Sequence, residues 1–274
     1  MRRLVGVMIV CKSPEELQRM RAANALVADV LAELCGMVEP GITTRELDTL
    51  SEIRVREAGG VPAFKGYHGY PATLCVSINE AVVHGIPSAR QLTVGDIVSI
   101  DMGVVLGGYY GDSALTVGVG SISDDAGRLL KVTEEALEHA IEHVKVGGRV
   151  SDIGHAVQRH VESNGFSVVR EFVGHGIGTQ LHEEPQIPNY GEPGCGPRLS
   201  EGMVLAIEPM VNMGNPEVRV LDDGWTAVTQ DGSLSAHFEH SVAVTADGPM
   251  VLSRPLSGAR GDVVGSPGYQ APAS

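Results

Sequence analysis

The sequence predicts an α+β fold made of two related halves, each running helix, helix, strands, around a shared antiparallel sheet. Three observations carry that expectation. A chain of 274 residues with 43% apolar side chains can bury a large core in one or two domains. Helix-stopping glycines recur at one interval, Gly41 with Gly147 and Gly59 with Gly165. At nearly the same interval, Gly95-Asp96-Ile97-Val98-Ser99-Ile100-Asp101 resembles Gly202-Met203-Val204-Leu205-Ala206-Ile207-Glu208.

The elements follow in order. Arg2 and Arg3 precede an apolar run, Leu4 to Cys11, which has the start of a signal peptide but not its end. Lys12-Ser13-Pro14-Glu15-Glu16 follows in place of a small-residue cleavage site, and no apolar stretch reaches the roughly 18 residues of a membrane span. The run reads as a short first strand. Ser13, Pro14 and Glu16 are a helix start: an oxygen cap, proline at the first helical position, and a carboxylate at the third. Leu17, Met20, Val27, Leu31 and Leu34 mark that helix's apolar face, and Pro40-Gly41 stops it. Thr43 to Glu46 caps a second helix with Leu47, Leu50 and Ile53 on its face, ending at Gly59-Gly60. The pattern returns as a helix from about 124 to 144 and another from about 151 to 163, each closed by glycine. Residues 255–274, rich in Pro, Gly, Ser and Ala, read as a disordered tail. Because each half supplies part of one carboxylate constellation, residues 1–254 are expected to form a single domain.

Charge narrows the partners. Lys plus Arg number 20 against 34 Asp plus Glu, a net charge of −14, which argues against nucleic-acid or anionic-membrane surfaces. Cys11, Cys35, Cys75 and Cys195 form no C-x-x-C pair and read as reduced thiols of a cytoplasmic protein.

The chemistry lies in carboxylates. A hairpin loop at Leu106-Gly107 would set Asp101 opposite Asp112; a loop at Gly107-Gly108 shifts the pairing by two residues and keeps both on one face. In either register their Cβ atoms lie roughly 4.5–8 Å apart. Glu208 occupies in the second half the position of Asp101, and Glu239 that of Asp112. Folding the repeat about a pseudo-two-fold axis gathers all four. Their repulsion is tolerable only if protons, bases or cations neutralise it. With neutral His175 the set carries four negative charges, which two divalent ions cancel. Oxygen ligands with one imidazole and no thiolate suit Mn, Fe, Co, Zn or Mg, and differ from a structural zinc site.

At these residues the chain resembles the type I methionine aminopeptidases over about residues 12 to 253. The stretches that carry the resemblance are Gly66-Tyr67-His68-Gly69-Tyr70-Pro71, Ser77-Ile78-Asn79-Glu80, Val83-His84-Gly85-Ile86-Pro87 and Gly174-His175-Gly176-Ile177-Gly178. To them belong His182-Glu183-Glu184-Pro185-Gln186, Ile207-Glu208-Pro209-Met210 and Asp223-Gly224-Trp225-Thr226. The resemblance implies the pita-bread (creatinase/aminopeptidase) fold. It also implies two divalent ions (Co, Mn, Fe, Zn or Ni): Asp101 chelates one, His175 and Glu208 hold the other, and Asp112 and Glu239 bridge them. A metal-bridged water or hydroxide then attacks the first peptide bond and frees the initiator methionine, with a small second residue preferred. Glu208 is the implied general base; His84 and His182 are implied to contact the substrate and stabilise its tetrahedral intermediate. Tyr67, Tyr70, Cys75, Leu181 and Trp225 fall at positions of the methionine pocket, Leu181 where the family often has an aromatic. The implied partner is a nascent polypeptide beginning with Met, met in the cytoplasm by a monomer, with the ribosome a candidate partner.

Competing patterns are weaker. His139-Ala140-Ile141-Glu142-His143 fits a zinc-protease motif, but both histidines fall on the helix face away from Leu137, Ile141 and Val144. Gly176-Ile177-Gly178 lacks the third glycine of a dinucleotide loop. His68, His155, His160, His237 and His240 read as structural or supporting side chains, with His68 nearest the pocket. An Xaa-Pro peptidase on the same fold would need a further N-terminal domain. A type II enzyme would need an insertion that the short span from Glu208 to Glu239 excludes. A non-catalytic binding protein would be expected to have lost ligands that this chain retains.

Overall fold

The computed structural model describes residues 9–254. Helices α1 (Pro14–Gly36) and α2 (Thr44–Glu57) lead into β1 (Val61–Pro62), a 3-10 turn at Tyr67–Gly69, β2 (Leu74–Ile78) and β3 (Ala81–Val83). The hairpin β4 (Ile97–Leu106) and β5 (Tyr109–Gly118) closes the first half. The second half opens with α3 (Asp124–Glu142) and α4 (Val150–Ser163), then β6 (Ser167–Val168), β7 (Gly174–Gly176), β8 (Glu183–Ile187) and β9 (Val204–Ile207). It ends through β10 (Met210–Asn212), β11 (Val218–Val220), β12 (Ala227–Thr229), β13 (Ser235–His237), β14 (Glu239–Thr245) and β15 (Gly248–Val251).

The main sheet runs β1-β4-β5-β14-β9-β7-β8, with β2 also on β4 and β15 also on β14. All its pairings are antiparallel. The pair β4–β5 and the pair β14–β9 meet at a central seam, where Glu239 pairs with Ala114 and His240 with Ser113. The two halves are therefore related as the recurring glycines and strands require. Two three-stranded sheets, β13-β10-β6 and β11-β12-β3, complete the second half and join it to β3 of the first.

Local chemistry sets the helix ends. Ser13 accepts from the Glu16 N–H at 3.3 Å while Glu16 accepts from the Ser13 N–H at 2.7 Å. Thr43 and Glu46 form the same reciprocal box. Helix α4 begins at Val150, one residue before the sequence suggests, because the Asp152 carboxylate accepts from the Arg149 N–H at 2.8 Å. One face expectation fails. Ile53 is exposed, and α2 instead buries Thr44, Leu47, Ser51 and Val55. The helix is rotated so that Val55, rather than Ile53, meets the sheet side.

Strand alternation separates core from site. Val98, Ile100, Met102 and Val104 of β4 pack with Val27, Leu31, Leu34 and Leu47 of the first helix pair. In the second half, Leu129, Leu137, Ile153 and Val157 pack with Leu205, Ile207 and Val242. Asp101, between Ile100 and Met102, therefore faces away from the helices. His139 and His143 are solvent-exposed, as their helix face requires. The first strand expected over Leu4 to Cys11 lies mostly outside the described residues, and Ile9 to Cys11 carry no strand. The tail 255–274 also lies outside them.

Candidate metal centre

The β4–β5 hairpin turns on Gly107 and Gly108, both at positive φ (59° and 84°), the backbone a two-residue turn of this hand requires. Of the two registers open to the sequence, this is the second: Asp101 pairs with Ala114 and Gly103 with Asp112. Asp101 and Asp112 are thus diagonal neighbours on one face. Ala114 is also the register partner of Glu239 across the seam, so Asp101 and Glu239 flank β5 from either side. Ser113 Oγ donates to the Glu239 carbonyl at 2.7 Å and Ser241 Oγ to the Asp112 carbonyl at 2.9 Å, strapping the two strands.

His175 enters from β7, where it pairs with Ala206 of β9. Its flanking glycines are dictated by packing. A Cβ on Gly174 would lie 2.3 Å from the Ala206 carbonyl oxygen, and one on Gly176 2.3 Å from that of Glu184. His175 Nδ1 sits 3.0 Å from the Gly176 carbonyl and donates to it, leaving the Nε2 lone pair to face the acids. Glu208, one residue beyond β9, lies with Oε1 3.5 Å from that Nε2.

The five groups form one electrostatic cluster. Ligand atoms of Asp112, His175 and Glu239 all lie within 4.8 Å of one another, and all three residues are buried. Burial pushes the Asp101 carboxyl up to about 7. Asp112 is raised well above the usual range by burial and then by Glu239 and Asp101. Burial, Asp101 and Asp112 raise Glu208; burial, Glu208 and Asp101 raise Glu239. Burial, followed by His182, lowers His175 to about 3, so it stays neutral and can ligate.

The donor set fits divalent cations. Asp101 Oδ1, Asp112 Oδ1 and Glu239 Oε1 are buried with no hydrogen-bond partner among the described residues, a costly state for carboxylates unless protons or cations fill it. Oxygen donors with one neutral imidazole can hold hard or borderline divalent ions.

Around the acids stand three more histidines. His84 holds a left-handed backbone (φ 61°), and Gly85 after it has no room for a Cβ, which would lie 2.2 Å from the Val76 carbonyl oxygen. Burial, then His182, lowers His84 to about 4, so it is neutral at neutral pH and can donate a hydrogen bond. His182 packs edge-on against His175 at 4.3 Å between ring centroids. Its Nδ1 lies 2.7 Å from the Tyr67 hydroxyl. Crowding by protein and then His68 lowers its pKa. His237 is buried, with Nε2 3.7 Å from Glu208 Oε2 and no hydrogen-bond partner among the described residues. A cleft of about 450 Å³ opens beside His175 and His182 and is also lined by Glu184 and Gln186.

The residues expected to form an apolar pocket fall in one cluster. Tyr70, Cys75 and Leu181 are buried within it, and Tyr67 and Trp225 pack against it. Cys75 is the register partner of Asp101, which puts the apolar cluster directly beside the acids. The Tyr70 hydroxyl lies 3.0 Å from the Leu74 carbonyl and 2.9 Å from that of Gly85, which share its one proton, and its ring meets Trp225 edge-on at 5.1 Å. Leu181 keeps the site apolar where an aromatic was the alternative.

Sequence reasoning passed over two neighbours. Phe172 stacks edge-on against His84 at 5.3 Å, and Asn189 donates to the Glu208 carbonyl at 2.8 Å. Neither carries a local motif; only the fold brings them in.

Residues 18–246 match the model of metallopeptidase family M24. The chain is 55% identical over 247 residues to methionine aminopeptidase 1 of Bacillus subtilis (strain 168), spanning 90% of this chain and 100% of the relative. It superposes on the crystal structure of methionine aminopeptidase from Thermotoga maritima with a TM-score of 0.89 at 48% identity, covering 90% of this chain and 100% of that one. The prolidase of Pyrococcus horikoshii OT3 matches with a TM-score of 0.74 at 22% identity, over 91% of this chain and 65% of that one. That last likeness speaks to fold alone: the architecture is the α+β pita-bread fold. Among the described residues no helix is long and apolar enough to cross a membrane.

Proposed function

The chain belongs to metallopeptidase family M24, within its type I methionine aminopeptidase branch, and from that membership we propose that it frees the initiator methionine of new polypeptides, using two divalent cations. The observation that most supports this reading is the convergence of four carboxylates with one neutral imidazole, three carboxylate oxygens having no hydrogen-bond partner among the described residues. Asp101 would hold one cation (Co, Mn, Fe, Zn or Ni), His175 and Glu208 the other, and Asp112 and Glu239 both. The bound cations lower the pKa of a water and polarise the scissile carbonyl.

The chain's own groups do the rest. Glu208 takes the proton of the attacking water on a carboxylate oxygen. Donation by the Tyr67 hydroxyl to His182 Nδ1, 2.7 Å away, would leave Nε2–H as the free donor of that ring. His182 and neutral His84 donate to the substrate amide and to the oxygen that gains charge. Tyr67, Tyr70, Cys75, Leu181 and Trp225 receive the methionine thioether, a group suited to an apolar, partly aromatic surface. A small second residue is preferred, and the substrate is met in the cytoplasm, by a monomer, as chains leave the ribosome.

Metal-loaded protein given Met-Ala-Ser should release methionine, and given Ala-Pro peptides should not. Asp101→Ala and Glu208→Ala should each abolish the release; full activity in either rejects the assignment.

A further inference from the structure

We propose that Lys12 is a positioning residue for His182, acting through a buried ion pair with Glu183; this rests on the role given to His182 above. Lys12 precedes the cap of α1 and has no part in the metal centre. Its N–H donates to the Gly202 carbonyl at 2.6 Å, which pins the arm before the helix to the turn leading into β9. Its side chain is only 2% exposed, and that of its partner Glu183 8%. Lys12 Nζ donates to Glu183 Oε2 at 2.5 Å and to the Val10 carbonyl at 3.1 Å.

The other carboxylate oxygen of Glu183 does a different task. Oε1 accepts from the Thr179 N–H at 2.8 Å and from the Gln180 N–H at 3.2 Å. One carboxylate therefore closes the bend from Gly178 to His182 on itself and ties it to the arm. The bend is fixed from a third side, where the Tyr110 N–H donates to the Gly178 carbonyl at 2.8 Å. Gly178 allows the lysine to pass: a Cβ there would lie 2.4 Å from Lys12 Cε and 2.5 Å from Glu183 Oε1.

His182 ends this bend, adjacent to Glu183. Tyr67 orients its ring and the Lys12–Glu183 pair fixes its backbone. The Thr179 and Gln180 N–H groups both depend on Oε1, and the oxygen of a neutral amide in its place would hold them more weakly. The buried charge is what demands a cation at that point. Lysine on the arm supplies it, and the arm is thereby coupled to a substrate-binding histidine 170 positions away in sequence.

The test uses full-length, metal-loaded protein and a Met-Ala-Ser assay, with metal content and folded fraction measured for each variant. Lys12→Met and Glu183→Gln should each lower kcat about 10- to 100-fold, the scale of a misplacement near 1 Å, with KM within about twofold. Lys12→Arg, which keeps the cation, should recover most of the loss. In a His182→Ala background, Lys12→Met should cause no further fall in kcat, because the group it positions is gone. Unchanged kcat in both single variants, or an equal further loss in the His182→Ala background, overturns the proposal in favour of a purely architectural anchor. If Lys12→Met does not fold, the isosteric Glu183→Gln with and without His182→Ala makes the same comparison. Wild-type turnover in His182→Ala alone overturns the role of His182 and this proposal with it, while absence of methionine release from the wild type rejects the assigned activity itself.

Discussion

Removing the metal should invert how stability depends on pH. Asp101, Asp112, Glu208 and Glu239 all have folded-state pKa values raised above the unfolded value near 4. Between those limits the folded chain keeps protons that the unfolded chain has released, so rising pH favours unfolding. Buried histidines act oppositely. His84 and His240 are lowered to about 4, and His175 and His237 to about 3, so the unfolded chain gains protons there that the folded chain refuses. Their contribution grows with pH and is complete near 7.5, one unit above the ordinary histidine value. Below that pH the two sets partly cancel; above it only the carboxylates still act. Each proton retained costs about 1.4 kcal/mol per pH unit, so one retained proton removes about 0.7 kcal/mol between pH 7.5 and 8.0. At a urea slope of roughly 2–3 kcal/mol/M, the midpoint of EDTA-stripped protein should fall by about 0.2–0.35 M over that range. Stopping at pH 8.0 precedes ionisation of unfolded thiols, which matter because burial pushes Cys35 up to about 12 and raises Cys75 as well. Manganese-loaded protein should show no such fall, since cations replace the protons, and it should weaken on acidification. Circular dichroism of urea unfolding at four pH values decides the matter. A flat or rising curve for the stripped protein would mean that the acids ionise together unaided, and the argument for obligatory cations would fail.

Two further perturbations test single contacts. Gly174→Ala places a methyl 2.3 Å from a carbonyl oxygen of β9, so it should cost roughly 1–3 kcal/mol in urea unfolding and weaken metal uptake measured by elemental analysis. Wild-type values for both would contradict the close approach of β7 and β9. Tyr67→Phe removes the hydroxyl facing His182 Nδ1 and should lower kcat on Met-Ala-Ser about 2- to 10-fold, the worth of one hydrogen bond, with metal content unchanged. An unaltered rate would show that the ring of His182 is held by other means.

What was legible in the sequence was local or repeated. The boxes at Ser13 and Thr43 need only four residues each, and the structure forms both. The pairing of Asp101 with the Asp112 face needs only period-two alternation and a glycine pair, though alternation alone left two registers open until Gly107-Gly108 chose one. The match of Glu208 and Glu239 to those acids came from the repeat. Long-range convergence was not legible. His237 reaches Glu208 because Thr116 holds its backbone from across the seam, accepting from its N–H at 2.9 Å and donating to its carbonyl at 2.8 Å. Phe172 meets His84 from the other half. Ile53 shows a limit of periodicity itself: on a 14-residue helix one apolar stripe can be drawn through either Ile53 or Val55, and contact with the sheet decides between them.

The seam between β5 and β14 has a consequence for how the chain can be divided. A break near Ser121 would yield two pieces, each with half the acids and a bare strand edge where its partner belongs. Neither piece would hydrolyse anything alone, and each would be prone to aggregate through that edge. Brought together, they would regain turnover only on docking, so peptide cleavage would serve as a direct readout of fragment complementation.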